Sequence, residues 1–145
     1  LSAKVAALNY LQSNFPNTGA ELIKPSDIAV SLAKTGGPSG GLAFAIGIVE
    51  LLTSENVLQG KSVAVTGSID SAGKVGSIGG VAEKILAAKK AGATLILVPE
   101  ANCKDLAPNL ATIPSGIKVA AVSSLKEAMA TFNSEDPRGC ANLGA

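Results

Sequence analysis

Residues 36–52 read GGPSGGLAFAIGIVELL, a glycine-rich turn followed by an almost entirely apolar run. The alternation of larger and smaller residues over 27–34 predicts a strand before the turn, and the apolar run predicts a helix over 42–52. A helix that is apolar on every side is typical of a domain core. The stretch therefore predicts a strand–turn–helix unit whose helix is buried.

Strands and helices alternate along the rest of the chain. The first helix is predicted to be capped by Ser2, and Ser124 with Glu127 forms a capping box for the last helix. The elements are helices over 2–15, 81–91 and 125–132, strands over 61–69, 74–78, 94–98 and 117–122, a turn over 70–73 and one helical turn over 102–106. This order predicts an α/β (α+β) fold, a compact single domain with a mixed sheet and flanking helices. We expect the domain to span residues 1–132 and residues 133–145 to form a loose tail.

The composition restricts the class of protein. Of the 145 residues, 47% are hydrophobic and only 3% are aromatic, so the core must consist mainly of Ala, Val, Ile and Leu. A chain this apolar is not intrinsically disordered. The formal net charge of +1 argues against nucleic acid as a partner, because phosphate binding requires clustered basic residues.

The chain contains no histidine. This excludes a Ser-His-Asp triad, a Cys-His dyad and a histidine-ligated zinc ion. Cys103 and Cys140 are too few for a structural zinc site, so no metal is predicted. The two cysteines could form a disulfide or remain reduced, and their small number favours reduced thiols.

Ser39 is a candidate nucleophile. Residues 37–41 satisfy the pattern G-x-S-x-G between a predicted strand and a predicted helix, which is the context in which this pattern exposes a reactive serine. Backbone N–H groups at the start of the helix could stabilise an oxyanion. Glycine-rich turns also bind phosphate or simply reverse the chain, so these interpretations stay open on the pattern alone.

Other familiar site patterns do not fit. An α/β-hydrolase requires a histidine base, and a Ser-Ser-Lys amide hydrolase expects a second serine where Pro38 stands. Residues 60–62 read GKS and imitate the end of a phosphate-binding P-loop. However, Glu55 occupies the position of the required first glycine, and a strand follows where that motif needs a helix.

A lysine is the remaining good base for Ser39. Lys84 lies near the start of the helix over 81–91, beside the apolar residues Val81 and Ile85. The helix dipole and apolar neighbours both disfavour an ammonium ion. A lysine base needs a pKa lowered from about 10.4 to roughly 7–8, and burial would have to supply most of that change. The alternative is a surface lysine whose amine stays in water.

Two segments carry a resemblance to a known family. Residues 37–44 (GPSGGLAF) resemble the nucleophile segment of Lon-type serine peptidases. Residues 65–69 (VTGSI), 73–75 (GKV) and 78–84 (IGGVAEK) are similar to the stretch that holds the lysine of those enzymes. The interval of 45 residues between the serine and the lysine also fits the family.

The resemblance implies a function for particular residues. Ser39 would be the nucleophile, Lys84 the general base, and Thr66 the hydroxyl that holds the lysine amine. The implied activity is that of a serine endopeptidase, which cleaves unfolded or flexible polypeptides through an acyl-enzyme. It implies no metal, nucleotide or other cofactor in this domain.

The resemblance also carries expectations about the wider protein. Gly36 and Ser77 replace an acidic residue and a proline of the family pattern, and we expect the family's N-terminal strands to be missing from this chain. The most similar type is the Lon-like protein without an ATPase, associated with a PDZ module. The family implies a homo-oligomer, such as a ring of six, and a PDZ module or membrane anchor could lie upstream. Cytoplasmic and membrane-anchored, extracytoplasmic locations both stay open.

Two other functions are compatible with the sequence. One is a catalytically silent Lon-like domain that serves as an oligomerisation or docking scaffold. The other is a small-ligand binding module that uses the glycine-rich loop as an anion site.

Overall fold

The computed structural model describes residues 1–16, 23–24, 40–53, 62–106 and 113–140. The strand predicted over 27–34 and the candidate nucleophile Ser39 lie outside these residues. The helices are α1 (Ser2–Asn14), α2 (Gly41–Leu52), α3 (Val81–Lys90), α4 (Cys103–Leu106) and α5 (Leu125–Thr131). The strands are β1 (Val63–Val65), β2 (Ser68–Ile69), β3 (Val75–Gly76), β4 (Leu95–Pro99) and β5 (Lys118–Val122), and a 3₁₀ turn covers Glu100–Asn102.

A parallel sheet with the strand order β1-β4-β5 forms the centre of the fold. Its register places Leu97 of β4 beside Val65 of β1 and Ala120 of β5. All residues of β4 are buried, as expected for a parallel strand with helices on both faces. Strands β2 and β3 pair antiparallel in a separate hairpin. The predicted α/β class with flanking helices is confirmed. In place of one mixed sheet, the described strands form a parallel sheet and a separate antiparallel hairpin.

Helices cover the parallel sheet on both faces and create two apolar layers. Helices α1, α2 and α5 pack on the face that carries Leu97 and Val122. Helices α3 and α4 pack on the opposite face, which carries Ile96 and Val98. Among the residues described, no helix has the length and apolar character needed to cross a membrane.

The single strand predicted over 61–69 is wrong, because the chain leaves the parallel sheet at Thr66 and Gly67. Gly67 has a φ of +154°, and a Cβ at this position would lie 3.0 Å from a methyl group of Val75. A larger residue would therefore meet both backbone strain and a close contact. Strand β1 ends before this step, and β2 begins after it in the hairpin with β3.

The first two helices are confirmed, but three details of their prediction are wrong. Leu1 rather than Ser2 occupies the N-cap position of α1, and its side chain makes no cap hydrogen bond. Helix α2 begins one residue earlier than predicted, at Gly41. Leu51 in α2 is 84% exposed within the described structure, so the helix is not buried on every side.

Helix α5 begins with the predicted cap. The Oγ atom of Ser124 accepts a hydrogen bond of 3.1 Å from the N–H of Glu127. The carboxylate of Glu127 accepts bonds from the N–H of Ser123 at 2.7 Å and from its hydroxyl, rather than from the N–H of Ser124. The hydroxyl bond from Ser123 lowers the pKa of Glu127, although desolvation acts in the opposite direction.

The segment after α5 is held against the sheet instead of forming a loose tail over residues 133–140. The carbonyl of Arg138 accepts a 2.8 Å hydrogen bond from the N–H of Ala121 in β5. Cys140 is buried and forms a disulfide with Cys103, with their Cα atoms 5.2 Å apart. The prediction of reduced thiols is therefore wrong, because the chain folds back and brings together two cysteines separated by 37 residues.

We expect replacement of both Cys103 and Cys140 by Ser to lower the free energy of unfolding by about 2–4 kcal/mol, because the disulfide restricts the unfolded chain. Urea denaturation with and without dithiothreitol measures the change. The reductant should destabilise the original protein and leave the double variant unaffected. Equal stability of the two proteins under oxidising conditions would contradict the expectation.

The Glu127 carboxylate should make stability depend on pH. Its pKa is lower in the folded state, so its contribution is complete above the ordinary value of about 4.5 and is lost as the pH falls through the folded-state pKa. Glu127→Gln should therefore cost about 1 kcal/mol at pH 7 and much less at pH 3. Urea titrations at both pH values measure this, with Ser123→Ala expected to reduce the pH dependence as well. A loss of the same size at both pH values would argue against the ionised carboxylate.

Candidate active site

The start of α2 packs directly against the Thr66–Gly67 step. The N–H of Leu42 donates a 3.0 Å hydrogen bond to the carbonyl of Gly67. A Cβ added to Gly41 would lie 3.2 Å from the backbone nitrogen of Ile69, so a larger residue would require the hairpin to move by a few tenths of an ångström. The residues that follow Ser39 are thus tied to the end of β1. One of the helix-start amides expected to hold an oxyanion, that of Leu42, already has an intramolecular partner.

Thr66 lies at the end of β1 with its backbone fixed to the central strand. Its N–H donates a 3.0 Å hydrogen bond to the carbonyl of Leu97 in β4. The residue is only 4% exposed, and its Oγ1 atom has no hydrogen-bond partner among the described residues. A buried hydroxyl without a partner costs about 1–3 kcal/mol, so its position calls for an explanation.

Lys84 is placed by the two glycines that precede α3. Gly80 occupies the N-cap position with a φ of 68° and ψ of 37°, the left-handed conformation that favours glycine. Its carbonyl accepts a 3.1 Å hydrogen bond from the N–H of Lys84, which closes the first turn of the helix. Val81 and Ile85 of the same helix are buried, but the Lys84 side chain is exposed. The burial that a lysine base would need, which the sequence left open, is thus not supplied by the described residues.

Thr66 and Lys84 line one cavity of about 680 Å³ between β1 and α3. Gly79, Gly80 and Glu83 also line this cavity. The side chains of its other lining residues are all aliphatic. The structure therefore brings together two of the predicted site residues, which are 18 positions apart in the sequence. Ser39, the third residue, lies outside the described part of the chain.

The sequence assigned no role to Glu83 or Asn102. Glu83 stands in the first turn of α3, where a carboxylate is favoured by the helix dipole, and it borders the cavity. Asn102 is only 1% exposed, and its side chain bonds both backbone groups of Ile78, just before the two glycines. The sequence signal for Asn102 was a polar residue three positions after the end of a buried strand, and its burial became visible only in the tertiary structure.

Comparison with known proteins gives a consistent match. Residues 2–133 match the Lon protease (S16) C-terminal proteolytic domain. The Lon protease of Rhizobium meliloti is 37% identical over 131 residues, covering 86% of this chain and 16% of that protein. The Lon protease of Neorickettsia sennetsu is 32% identical over 138 residues, covering 91% of this chain and 16% of that protein. The Lon protease of Dictyoglomus thermophilum is 40% identical over 111 residues, covering 72% of this chain and 14% of that protein. The chain thus spans only a small part of the length of these curated relatives.

The unpartnered hydroxyl of Thr66 can be tested by its effect on stability. Thr66→Val keeps the shape of the side chain and removes the hydroxyl, so the free energy of unfolding should stay unchanged or rise by about 1–2 kcal/mol. The control is Thr131→Val, because the hydroxyl of Thr131 donates a 2.9 Å bond to the carbonyl of Glu127 and its loss should cost about 1 kcal/mol. Both values come from urea denaturation. Equal destabilisation of the two variants would mean that the hydroxyl of Thr66 is bonded within the fold.

Proposed function

Because this chain belongs to the family of Lon protease proteolytic domains, we propose that it is a serine endopeptidase with Ser39 as nucleophile and Lys84 as general base. The observation that carries the proposal is the shared cavity of Thr66 and Lys84. Thr66 directly precedes Gly67, whose carbonyl is bonded to the start of α2. The family resemblance of residues 37–44 and 78–84 supports the same pair. Polypeptides are the proposed substrates.

Chain connectivity supports the placement of Ser39 at this cavity. One peptide bond joins Ser39 to Gly40, which limits the distance between their Cα atoms to about 3.8 Å. Two residues further on, the N–H of Leu42 is bonded to the carbonyl of Gly67 at 3.0 Å. Gly67 directly follows Thr66. The nucleophile is therefore attached to a helix start that is itself fixed beside Thr66.

The hydroxyl of Thr66 is well suited to orient a neutral lysine amine. Oγ1 is buried and has no partner in the described part of the fold, so it is available to accept a hydrogen bond. In the proposed arrangement, one N–H of the Lys84 amine donates to this oxygen. The lone pair of the amine is then directed toward the hydroxyl proton of Ser39. Thr66 would thus select one orientation of an otherwise flexible side chain.

The proposed reaction is acyl transfer in two stages. Lys84 Nζ takes the proton of Ser39 while Oγ forms a bond to the carbonyl carbon of the scissile peptide. The C–N bond then breaks, and Lys84 gives the proton to the departing amine. A water molecule then attacks the resulting ester while Lys84 takes its proton. The C–O bond to Ser39 breaks, Lys84 returns the proton to Oγ, and the second product leaves as a carboxylic acid. Because the N–H of Leu42 is already bonded, the amides of Gly40 and Gly41 are the proposed oxyanion donors.

The exposed position of Lys84 is compatible with the proposed mechanism if the bound substrate covers its side chain. An ammonium ion in water is well solvated, and removal of that water favours the neutral amine that a base requires. A polypeptide lying over the cavity would cover Lys84 against the aliphatic wall. We therefore propose that substrate binding, together with the Ser39 loop, completes the environment in which Lys84 acts as a base. Flexible or unfolded segments fit this requirement because they can follow the cavity closely.

The dyad can be tested by cleavage of casein without ATP. Ser39→Ala should reduce kcat on the order of a thousandfold or more, and Lys84→Met about a hundredfold or more. Lys89→Met is the matched control, because Lys89 lies exposed in the last turn of the same helix and should retain the original activity. Thr66→Val should lower kcat about tenfold or more with little change in KM.

The same set of variants decides between the proposed function and a silent scaffold. Wild-type turnover by folded Lys84→Met would exclude Lys84 as the base, and wild-type turnover by Ser39→Ala would exclude the nucleophile. If the original protein is folded and cleaves no polypeptide, the domain lacks independent peptidase activity and the scaffold interpretation is favoured. Circular dichroism and thermal melting establish that each variant is folded.

A further inference from the structure

We infer that Asn102 is a positioning residue for Lys84, acting through the backbone of Ile78 and the two glycines that precede α3. The inference rests on the proposed function, since it concerns the residue proposed as the base. Asn102 does not line the cavity. Its effect would be to fix the start of the helix from which Lys84 extends.

The amide side chain of Asn102 holds Ile78 at both of its backbone groups. Its Oδ1 accepts a 2.9 Å bond from the N–H of Ile78, and its Nδ2 donates a 2.8 Å bond to the carbonyl of the same residue. A second hydrogen of Nδ2 is donated to Oδ2 of Asp105 at 2.9 Å. The amide therefore has one favourable orientation, because a flipped group would place its oxygen against a carbonyl and a carboxylate.

The fixed residue lies immediately before a segment with high conformational freedom. Gly79 and Gly80 separate Ile78 from α3, and glycine restricts the backbone less than any other residue. Gly80 must nevertheless keep its left-handed conformation for its carbonyl to accept the N–H of Lys84 at 3.1 Å. A fixed Ile78 on one side and the packed helix on the other restrict both glycines. Loss of the Asn102 bonds would release this restriction next to Lys84.

Asn102 is itself supported on a firmly held turn. The turn follows β4 directly, and Cys103, the next residue, is joined by the disulfide to Cys140. Glu100 in the same turn forms a 3.0 Å ion pair with Arg138. Because Leu97 of β4 also accepts the N–H of Thr66, the proposed base and its proposed partner are both positioned from this strand. Strand β4 thus holds the segment of Thr66 through Leu97 and the segment before Lys84 through the turn of Asn102.

The experiment compares Asn102→Ala and Asn102→Ser with the original protein and with Thr131→Val. Thr131→Val is the matched control, because it removes a hydrogen bond from a buried side chain in α5, away from the cavity. Asn102→Ser places an uncharged polar group beside Asp105 but is too short for the paired bonds to Ile78, so it tests the inference if the alanine variant does not fold. Casein cleavage is measured well below the melting temperature of every variant.

We expect both Asn102 variants to lower kcat about tenfold or more with KM changed less than about twofold, whereas Thr131→Val keeps the original kcat. Amide hydrogen exchange provides a readout that does not depend on activity. The amides of Ile78 and Lys84 should exchange faster in the Asn102 variants, while the amide of Ala121 in β5 stays protected.

The results that would overturn the inference differ from those that would overturn the proposed function. Unchanged kcat in a folded Asn102 variant overturns the inference, whether or not exchange at Ile78 becomes faster. A loss of kcat that Thr131→Val shares equally also overturns it, because general destabilisation would then explain the effect. If Ser39→Ala or Lys84→Met cleaves like the original protein, the proposed function fails instead. In that case the exchange rates alone decide whether Asn102 fixes the start of α3, and unchanged rates overturn that claim as well.

Discussion

The hydrogen bonding of β4 to both of its neighbours is the constraint on which the described site depends. The strand is buried along its whole length, so its peptide groups have no access to water and need partners in the sheet. Leu97 meets this need in part by accepting the N–H of Thr66, one residue beyond the end of β1. The same strand continues into the turn that carries Asn102. Two segments distant in sequence thus obtain their positions from one rigid strand.

Asn102 and Thr66 are both buried polar side chains, but they differ in whether their polar atoms form hydrogen bonds. Asn102 uses both its oxygen and its nitrogen in hydrogen bonds, so its burial costs little and stiffens the backbone around Ile78. Thr66 leaves its hydroxyl without a partner in the described structure, which lowers stability. Such an unsatisfied hydroxyl is expected where another side chain or a substrate binds to it. The contrast distinguishes a residue that supports the site from one proposed to act within it.

The segment after α5 protects the sheet as well as the turn that follows β4. An edge strand presents unpaired N–H and carbonyl groups that can pair with another chain. The bond from Ala121 to the carbonyl of Arg138 covers part of this edge of β5. The disulfide of Cys140 and the ion pair of Arg138 then join the covering segment to the turn after β4. One short segment therefore links the edge of the sheet to the surroundings of Asn102.

The sequence alone determined the α/β class and most helices and strands, because hydrophobic periodicity and glycine positions act over short distances. It also singled out Ser39, Thr66 and Lys84 as candidate site residues, since their local motifs resemble those of a known family, and the roles of all three stay predictions. Tertiary structure decided what depends on distant contacts: the break at Gly67 between two sheets, the disulfide of Cys103 and the burial of Asn102. Each of these results from packing between segments far apart in the chain. A local pattern carries no information about such packing, because it does not specify which distant segments will contact its residues.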